Sequence, residues 1–336
     1  MKKKISQSKT HRSMGRSSDA SIFTSEELVT TSATTEPAPE LTPVLTPELR
    51  AFVELVVKKG CELYRDLPWR RTYDPYAIWI SEVMLQQTQV SRVDGRWQRW
   101  LERFPTVDAL AAAAPSDVLE EWQGLGYNRR ALSVHRAAQA ISEAGGVFPQ
   151  DLKELVKLPG IGPATAAGIR AFAFNLHGVY LETNVRTVFL HELYPQAERV
   201  PDSELIPLVE LTCPRSTTGA LDATVGELTP RSWYYALLDY GAYLKKTIPN
   251  PSRRSKSHVK QTRFEGSHRQ KRAELLRVLL AHKDEGGAEL ETLHQDLCQI
   301  EVSAGREALD EQVTLGLLEE LAKEGFCQKN NEYWMP

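Results

Sequence analysis

The fold is decided by the stretch Leu158-Pro159-Gly160-Ile161-Gly162-Pro163-Ala164-Thr165-Ala166. It joins two segments in which apolar residues recur at helical spacing. Two glycines allow a tight turn and a close approach of the backbone to a ligand, and Pro163 suits the first position of a helix. The N–H groups and the positive dipole end of that helix would face an anion such as a DNA phosphate. The stretch therefore predicts a phosphate-binding turn between two helices.

The same residues match the helix-hairpin-helix signature (hydrophobic-Pro-Gly-hydrophobic-Gly-x-x-Thr-Ala) at every position. An ordinary turn between helices would explain a bare Gly-x-Gly, whereas the whole signature favours DNA binding. We therefore expect Gly160, Gly162 and Thr165 to take part in DNA binding. Phosphate contacts of this kind position a protein on the duplex and carry no information about the bases.

Residues 47–250 are predicted to form an all-α domain around this turn. Apolar residues recur at helical spacing, the breaks carry Gly, Pro or Asn, and no stretch shows sustained alternation. The predicted helices span about 77–89, 91–103, 107–112, 115–122, 129–143, 151–157, 163–174, 184–194, 203–212 and 233–244, with a polar loop over 217–232.

The remaining segments differ in composition. Residues 1–46 are basic and rich in Ser, Thr and Pro, so we expect a disordered tail. Residues 251–268 form a basic linker. Residues 269–336 are predicted to contain helices at about 269–283, 288–298 and 305–324 and a hairpin at 326–334. This is the outline of a small α(+β) winged-helix-like domain, with a plain helical cap as the alternative.

Composition limits the class of protein. The 336 residues are 41% hydrophobic, which suffices for two domains and a tail. No apolar run approaches the roughly 18 residues of a membrane span, and the lysine-rich start lacks the apolar stretch of a secretory signal. We expect a cytoplasmic protein, associated with the nucleoid if bacterial, with no membrane partner. Its net charge is only −3, but basic residues cluster before Asp19 and over 253–272. Such clusters are typical of proteins that bind a phosphate backbone, with a solvated linker as the alternative.

The segment from Ser81 to Val90 holds the candidate chemistry. Apolar Ile78, Val83 and Leu85 predict that Glu82 lies within a largely buried helix start, where desolvation raises a carboxyl pKa. A protonated carboxylic acid is what cleavage of a purine N-glycosidic bond needs, because the departing base must take up a proton. The alternative is a carboxylate that merely interacts with the dipole at a helix N-terminus.

Successive segments resemble the motifs of adenine DNA glycosylases, a branch of the helix-hairpin-helix base-excision glycosylases, in order and spacing over about residues 65–245. They are Leu67-Pro68-Trp69-Arg70, Tyr73-Asp74-Pro75-Tyr76, Ser81 to Val90, Gly124-Leu125-Gly126-Tyr127 and the turn at 158–166. By this resemblance, Glu82 is the general acid and Tyr127 is an aromatic wedge in the duplex. Gln86 and Gln87 are helix-start residues that fill the gap left by a flipped nucleotide. Trp69, Arg70 and Val90 surround the base, and Asn184 matches the family's asparagine.

The sequence departs from the family pattern at two site positions. Glu182 occupies the place of a second catalytic carboxylate that is Asp in the family, and its extra methylene requires a backbone shift if it is to stabilise a sugar cation. Ala164 occupies the place where bifunctional relatives carry a nucleophilic lysine and adenine-specific ones usually tyrosine. We therefore expect hydrolysis without a Schiff-base lyase reaction from this position.

A third departure concerns cofactors. Relatives usually hold a four-cysteine iron–sulfur cluster just after the helix that ends near Leu244, and the first cysteine corresponds to Lys245. Thiolates hold such clusters. Cys61, Cys213, Cys298 and Cys327 are scattered without a metal-ligand pattern, so we expect no cluster and no other metal or cofactor. The basic run 253–272 would then replace the phosphate contacts of the cluster loop.

The leading hypothesis is a monofunctional base-excision glycosylase, active as a monomer on double-stranded DNA with a mismatched or damaged base. It would flip adenine opposite guanine or oxidised guanine, with Glu82 as the acid and Glu182 as the stabiliser of the sugar cation. The region after Gly266 does not resemble the family's domain that recognises oxidised guanine, so thymine, uracil or hypoxanthine stay open as substrates. A non-catalytic binder of mismatches or damage is the alternative of a different class.

Overall fold

A computed structural model describes residues 45–215, 228–258 and 263–336. The tail expected over 1–46 lies outside the described residues except for its last two positions, and most of the loop expected over 217–232 lies outside them as well. The helices of the first part are α1 (Pro47–Glu62), α2 (Pro75–Leu85), α3 (Val90–Val93), α4 (Arg96–Arg103), α5 (Val107–Ala112), α6 (Pro115–Glu121), α7 (Arg129–Glu143), α8 (Leu152–Lys157), α9 (Pro163–Phe174), α10 (Thr183–Glu192), α11 (Asp202–Thr212) and α12 (Pro230–Thr247).

Polar caps followed by proline start two helices of this part, α2 and α12. The Asp74 side chain accepts from the Tyr76 backbone N–H at 3.0 Å and begins α2, and Thr229 accepts from the Ser232 N–H and begins α12. Such caps satisfy N–H groups that have no partner inside the helix. The predicted start of α12 at residue 233 is wrong for this reason, because the Thr229-Pro230 start signal lies three residues earlier.

The core of this part forms around α2, which is apolar on nearly all sides. Ile78, Trp79 and Ile80 are fully buried, and α2 packs against α9 while α1 and α10 both pack against α12. A helix that is hydrophobic all round must be covered by other helices. The packing therefore buries most of α2 and places its C-terminal end against α9.

The C-terminal part has a different architecture. It contains α13 (His268–Ala281), β1 (Ala288–Glu289), α14 (Leu290–Ser303), α15 (Glu311–Glu324), β2 (Gln328–Asn330) and β3 (Tyr333–Met335). The strands form an antiparallel sheet in the order β1-β3-β2, with Trp334 opposite both Ala288 and Lys329. Helix, strand, two helices and a hairpin are the arrangement of a winged-helix unit. The predicted start of the helix at 288–298 is wrong, because residues 288 and 289 form β1 and the helix begins at Leu290. The helix predicted from residue 305 begins at Glu311.

Ion pairs join the C-terminal part to the first part. The Lys283 ammonium contacts the Asp117 carboxylate of α6, and Arg129 at the start of α7 lies 2.7 Å from Glu324 of α15. Helix α13 also packs against α6. Among the described residues, no helix is long and apolar enough to cross a membrane.

Candidate active site

Glu82 lies in the last turn of α2, at the interface with α9. Its Oε2 accepts a hydrogen bond from the Tyr180 hydroxyl at 2.8 Å. Gly168 of α9 provides the room, because a Cβ there would lie 2.5 Å from Oε2 and 2.9 Å from the Tyr180 ring. The carboxyl therefore occupies a slot that only glycine leaves open.

The pKa of Glu82 is raised to about 8, first because burial penalises the charged form. Repulsion from Glu182 adds to the rise, while the Tyr180 hydrogen bond and the Arg70 charge oppose it. Glu82 as a whole residue is partly buried and not fully enclosed. At neutral pH the group is therefore mostly the protonated acid that base departure needs.

The predicted helix start around Glu82 is wrong. Helix α2 begins seven residues earlier and ends at Leu85, so Glu82 lies near the negative end of the helix dipole. This end disfavours a carboxylate, and the alternative of a simple N-terminal helix carboxylate is removed.

Glu182 is the N-cap of α10. Its Oε1 accepts from the Asn184 backbone N–H at 2.8 Å. Burial raises its pKa, whereas the N–H groups of Asn184 and Thr183 and the charges of Lys245 and Arg186 oppose the rise. The charge of Glu182 acts on both Glu82 and Tyr180. The two predicted catalytic acids are therefore brought together, from the ends of two different helices.

Trp69 and Arg70 lie in a short 3₁₀ helix, Pro68–Arg70, and both are buried. The Arg70 guanidinium donates to both carboxylate oxygens of Asp239, at 2.7 and 2.8 Å, and lies 4.3 Å from the centre of the Tyr235 ring. Asp239 is 2% exposed. Sequence reasoning missed Asp239 and Tyr180. The sequence feature that could have pointed to Asp239 is that it is the one acidic residue in the largely apolar α12.

Gln86 and Gln87 follow the end of α2 and are not at a helix start, which corrects the prediction. The Gln86 amide donates to the Thr165 hydroxyl at 3.1 Å, and Gln87 is exposed with φ of +54°. Arg130 of α7 donates to the carbonyls of Val83 and Gln86 at 2.6 and 2.7 Å. These contacts end the helix and tie the glutamine turn to the hairpin. Val90 is the partly buried first residue of α3.

Tyr127 stands on the surface next to this turn. It is 42% exposed with φ of +52°, and its ring centre lies 5.4 Å from the Arg130 guanidinium and 5.8 Å from that of Arg269 on α13. Tyr127 is therefore not a buried core residue. An exposed ring beside the glutamine turn suits a side chain that enters a duplex.

The hairpin has the geometry that its sequence predicts. Gly160 has φ of +74°, and a Cβ there would lie 2.6 Å from the Cβ of Ser133 on α7. Gly162 is the N-cap of α9 and Pro163 its first residue. Gly162, Pro163 and Ala164 are exposed, so the first turn of α9 is accessible to a phosphate.

The residues after α12 do not fit an iron–sulfur cluster. The sequence has no cysteine between Cys213 and Cys298, and thiolates hold such clusters. Among the described residues, no group of three or more His, Cys, Asp or Glu is placed to hold a metal ion. Arg254, in the basic run expected to contact phosphate, instead donates to the carbonyls of Tyr194, Pro195 and Leu190 at the end of α10. The expected phosphate role is therefore wrong for Arg254.

Comparisons with known proteins agree with this geometry. Residues 80–228 match the HhH-GPD superfamily of base excision DNA repair proteins. Adenine DNA glycosylase of Mycolicibacterium smegmatis is 38% identical over 223 residues, which cover 64% of this chain and 75% of that protein. This chain belongs to the adenine DNA glycosylase family. The glycosylase also resembles the Mycobacterium tuberculosis H37Rv enzyme (36% identity, 65% of this chain, 75% of that protein) and the human one (39%, 37% and 24%).

The family membership confirms that the chain is a DNA N-glycosylase of base excision repair with the helix-hairpin-helix glycosylase fold. The small C-terminal part has the element order predicted for a winged-helix-like domain. The roles of individual site residues stay predictions, for which the structure supplies the contacts described above.

Proposed function

We propose that this glycosylase removes adenine mispaired with guanine or oxidised guanine, acting as a monomer on duplex DNA. The observation that carries the proposal is the buried Glu82 carboxyl, which accepts a hydrogen bond from Tyr180 and lies next to a second acid, Glu182; burial raises the Glu82 pKa. Paired carboxyl groups in different surroundings are what cleavage of a glycosidic bond uses.

In the proposed reaction Glu82 gives its proton to a ring nitrogen of the flipped base. The bond between C1′ and the base nitrogen then breaks, and its electron pair leaves with the base. The Glu182 carboxylate stabilises the cation that develops on the sugar. Water adds to C1′ and returns one proton to Glu82. The products are the free base and an abasic site, and the enzyme is regenerated.

The proposed DNA face is continuous. The turn with Gln86 and Gln87 is bonded to the hairpin through Thr165 and lies next to Tyr127. A flipped nucleotide leaves a gap that such side chains fill, while the first turn of α9 holds a phosphate. Arg269 of the C-terminal part lies beside Tyr127, which supports backbone contacts from that part as well.

The proposal includes two absences. We expect no iron–sulfur cluster, and Ala164 provides no amine at the start of α9 for Schiff-base chemistry. An iron assay with a visible spectrum tests the first expectation. Borohydride trapping on a duplex with an abasic site tests the second, and we expect no covalent complex through this position.

Single-turnover base release from duplexes with each mismatch tests the substrate. We expect release of adenine opposite guanine or oxidised guanine, and a loss of about a thousandfold in Glu82→Gln. Release of thymine, uracil or hypoxanthine alone would change the substrate while leaving the acid in place. Equal release by the wild type and Glu82→Gln would contradict the proposal, and tight duplex binding without any abasic product would favour a non-catalytic binder.

A further inference from the structure

Helices α10 and α12 come into unusually close contact at the start of α10. A Cβ on Gly241 of α12 would lie 2.2 Å from the Asn184 carbonyl oxygen and 2.8 Å from the Asn184 Cβ. No side chain other than hydrogen fits at this position. The absence of a Cβ therefore lets the turn that carries Glu182 rest directly on α12.

Lys245 lies one turn further along α12, on the face that meets this turn. Its Nζ donates to the Asn184 Oδ1 at 3.2 Å. Asn184 in turn supplies the backbone N–H that binds the Glu182 carboxylate. A chain of two hydrogen bonds thus connects the lysine to the second acid.

The charges that face Glu182 come from several elements. Glu82 of α2 and Tyr180 lie on one side, and Arg186 of α10 and Lys245 of α12 supply positive charge. Arg186 already has another carboxylate partner, because it donates to both oxygens of Asp202 at 2.9 Å. Among the ion pairs of the described residues, none involves Lys245. Its charge therefore acts on Glu182 without a competing carboxylate partner.

We propose that Lys245 is a positioning residue for base release, which holds Asn184 at the start of α10 and supplies the positive charge that faces Glu182. This inference rests on the proposed function. It also gives a role to the position that, by the resemblance, holds the first cluster cysteine in relatives, because Lys245 contacts the start of α10 there.

The test compares Lys245→Met with Lys245→Arg and with Lys246→Met, a matched loss of charge at an exposed neighbour on α12. We expect Lys245→Met to lower the single-turnover rate about tenfold, less than the hundredfold that an ångström of misplacement costs. The acidic limb of its pH–rate profile moves to higher pH, because Glu182 becomes harder to ionise. Lys245→Arg restores most of the rate, and Lys246→Met keeps the wild-type rate and profile.

A substrate-free measurement separates this inference from the proposed function. Carbon-13 NMR of the Glu182 carboxyl follows its ionisation in each variant, and we expect a higher midpoint in Lys245→Met than in the wild type or Lys246→Met. Equal midpoints in all three proteins would overturn the inference, as would equal rates and profiles. A wild type that releases no base from any duplex would overturn the proposed function alone, because the NMR comparison still decides on Lys245.

Discussion

The regions around Glu82 and Glu182 hold the same side chain in opposite helical settings. Glu82 lies in the last turn of α2, where the helix dipole and burial favour the neutral acid, and a hydroxyl is its partner. Glu182 caps the first turn of α10, where burial raises its pKa but backbone N–H groups and the Lys245 charge oppose that rise. The difference shows how one chain gives two buried glutamates different surroundings: it places them at helix ends of opposite polarity.

Among changes to the two glutamates and their surroundings, removing the charge of Glu182 is expected to have the largest effect on the rate of base release. In Glu182→Gln the amide oxygen can still accept the Asn184 N–H, so α10 keeps its cap while the sugar cation loses its counter-charge. We expect single-turnover base release to fall about a thousandfold. Glu182→Asp is the control, because Asp is a favourable N-cap and keeps the charge. A Glu182→Gln rate within twofold of the wild type would mean that Glu182 serves only as a cap.

Filling the slot that holds the Glu82 carboxyl should displace the other of the two glutamates. In Gly168→Ala the new methyl would lie 2.5 Å from the Glu82 Oε2, so the carboxyl must move out of its place. We expect the rate to fall about a hundredfold. Gly316→Ala on α15 is the matched control, because a Cβ there meets nothing within 4 Å. Its activity should not change, and unaltered activity in both variants would show that the slot does not position the acid.

Removing the hydroxyl that contacts Glu82 should have a smaller effect on the rate and should make Glu82 still harder to ionise. Tyr180→Phe removes the hydrogen bond that opposes the rise of the Glu82 pKa, so that pKa should rise further. The alkaline limb of the pH–rate profile then moves to higher pH, and the rate at neutral pH changes less than about tenfold. Tyr240→Phe, which loses a hydroxyl bonded to Glu192 away from the site, should leave the limb in place. If the alkaline limb of Tyr180→Phe moved to lower pH instead, the Tyr180 hydroxyl would raise the Glu82 pKa and not oppose its rise.

Local patterns predicted much of the fold. The hairpin residues, the helix spacing and the cap signals are local features, and the predicted bounds of α5, α7 and α9 agree with the structure. The end of α2 was not predictable in this way, because Gln86, Gln87 and Thr88 continue the helical pattern. A long-range contact ends the helix there, as Arg130 of α7 takes the carbonyls of Val83 and Gln86.

The site could be predicted only in part, because long-range contacts shape it as well. Glu82 and Glu182 lie in recognisable motifs, whereas Tyr180 and Asp239 act through contacts with residues far away in the sequence. Arg254 shows the same limit. Its position in a basic run indicated phosphate binding, but the fold places it against the carbonyls at the end of α10. Charge alone does not tell whether a side chain faces DNA or the protein.

The pH dependence of single-turnover base release tests the central claim most directly, namely that Glu82 acts as a protonated acid. The acid is present below its raised pKa and is lost as the pH rises through about 8. The wild-type rate should therefore fall on the alkaline side with a midpoint near pH 8, and Glu82→Gln should show a low rate without this limb. A wild-type rate that keeps rising through pH 9, or a Glu82→Gln variant with the same alkaline midpoint, would contradict the account.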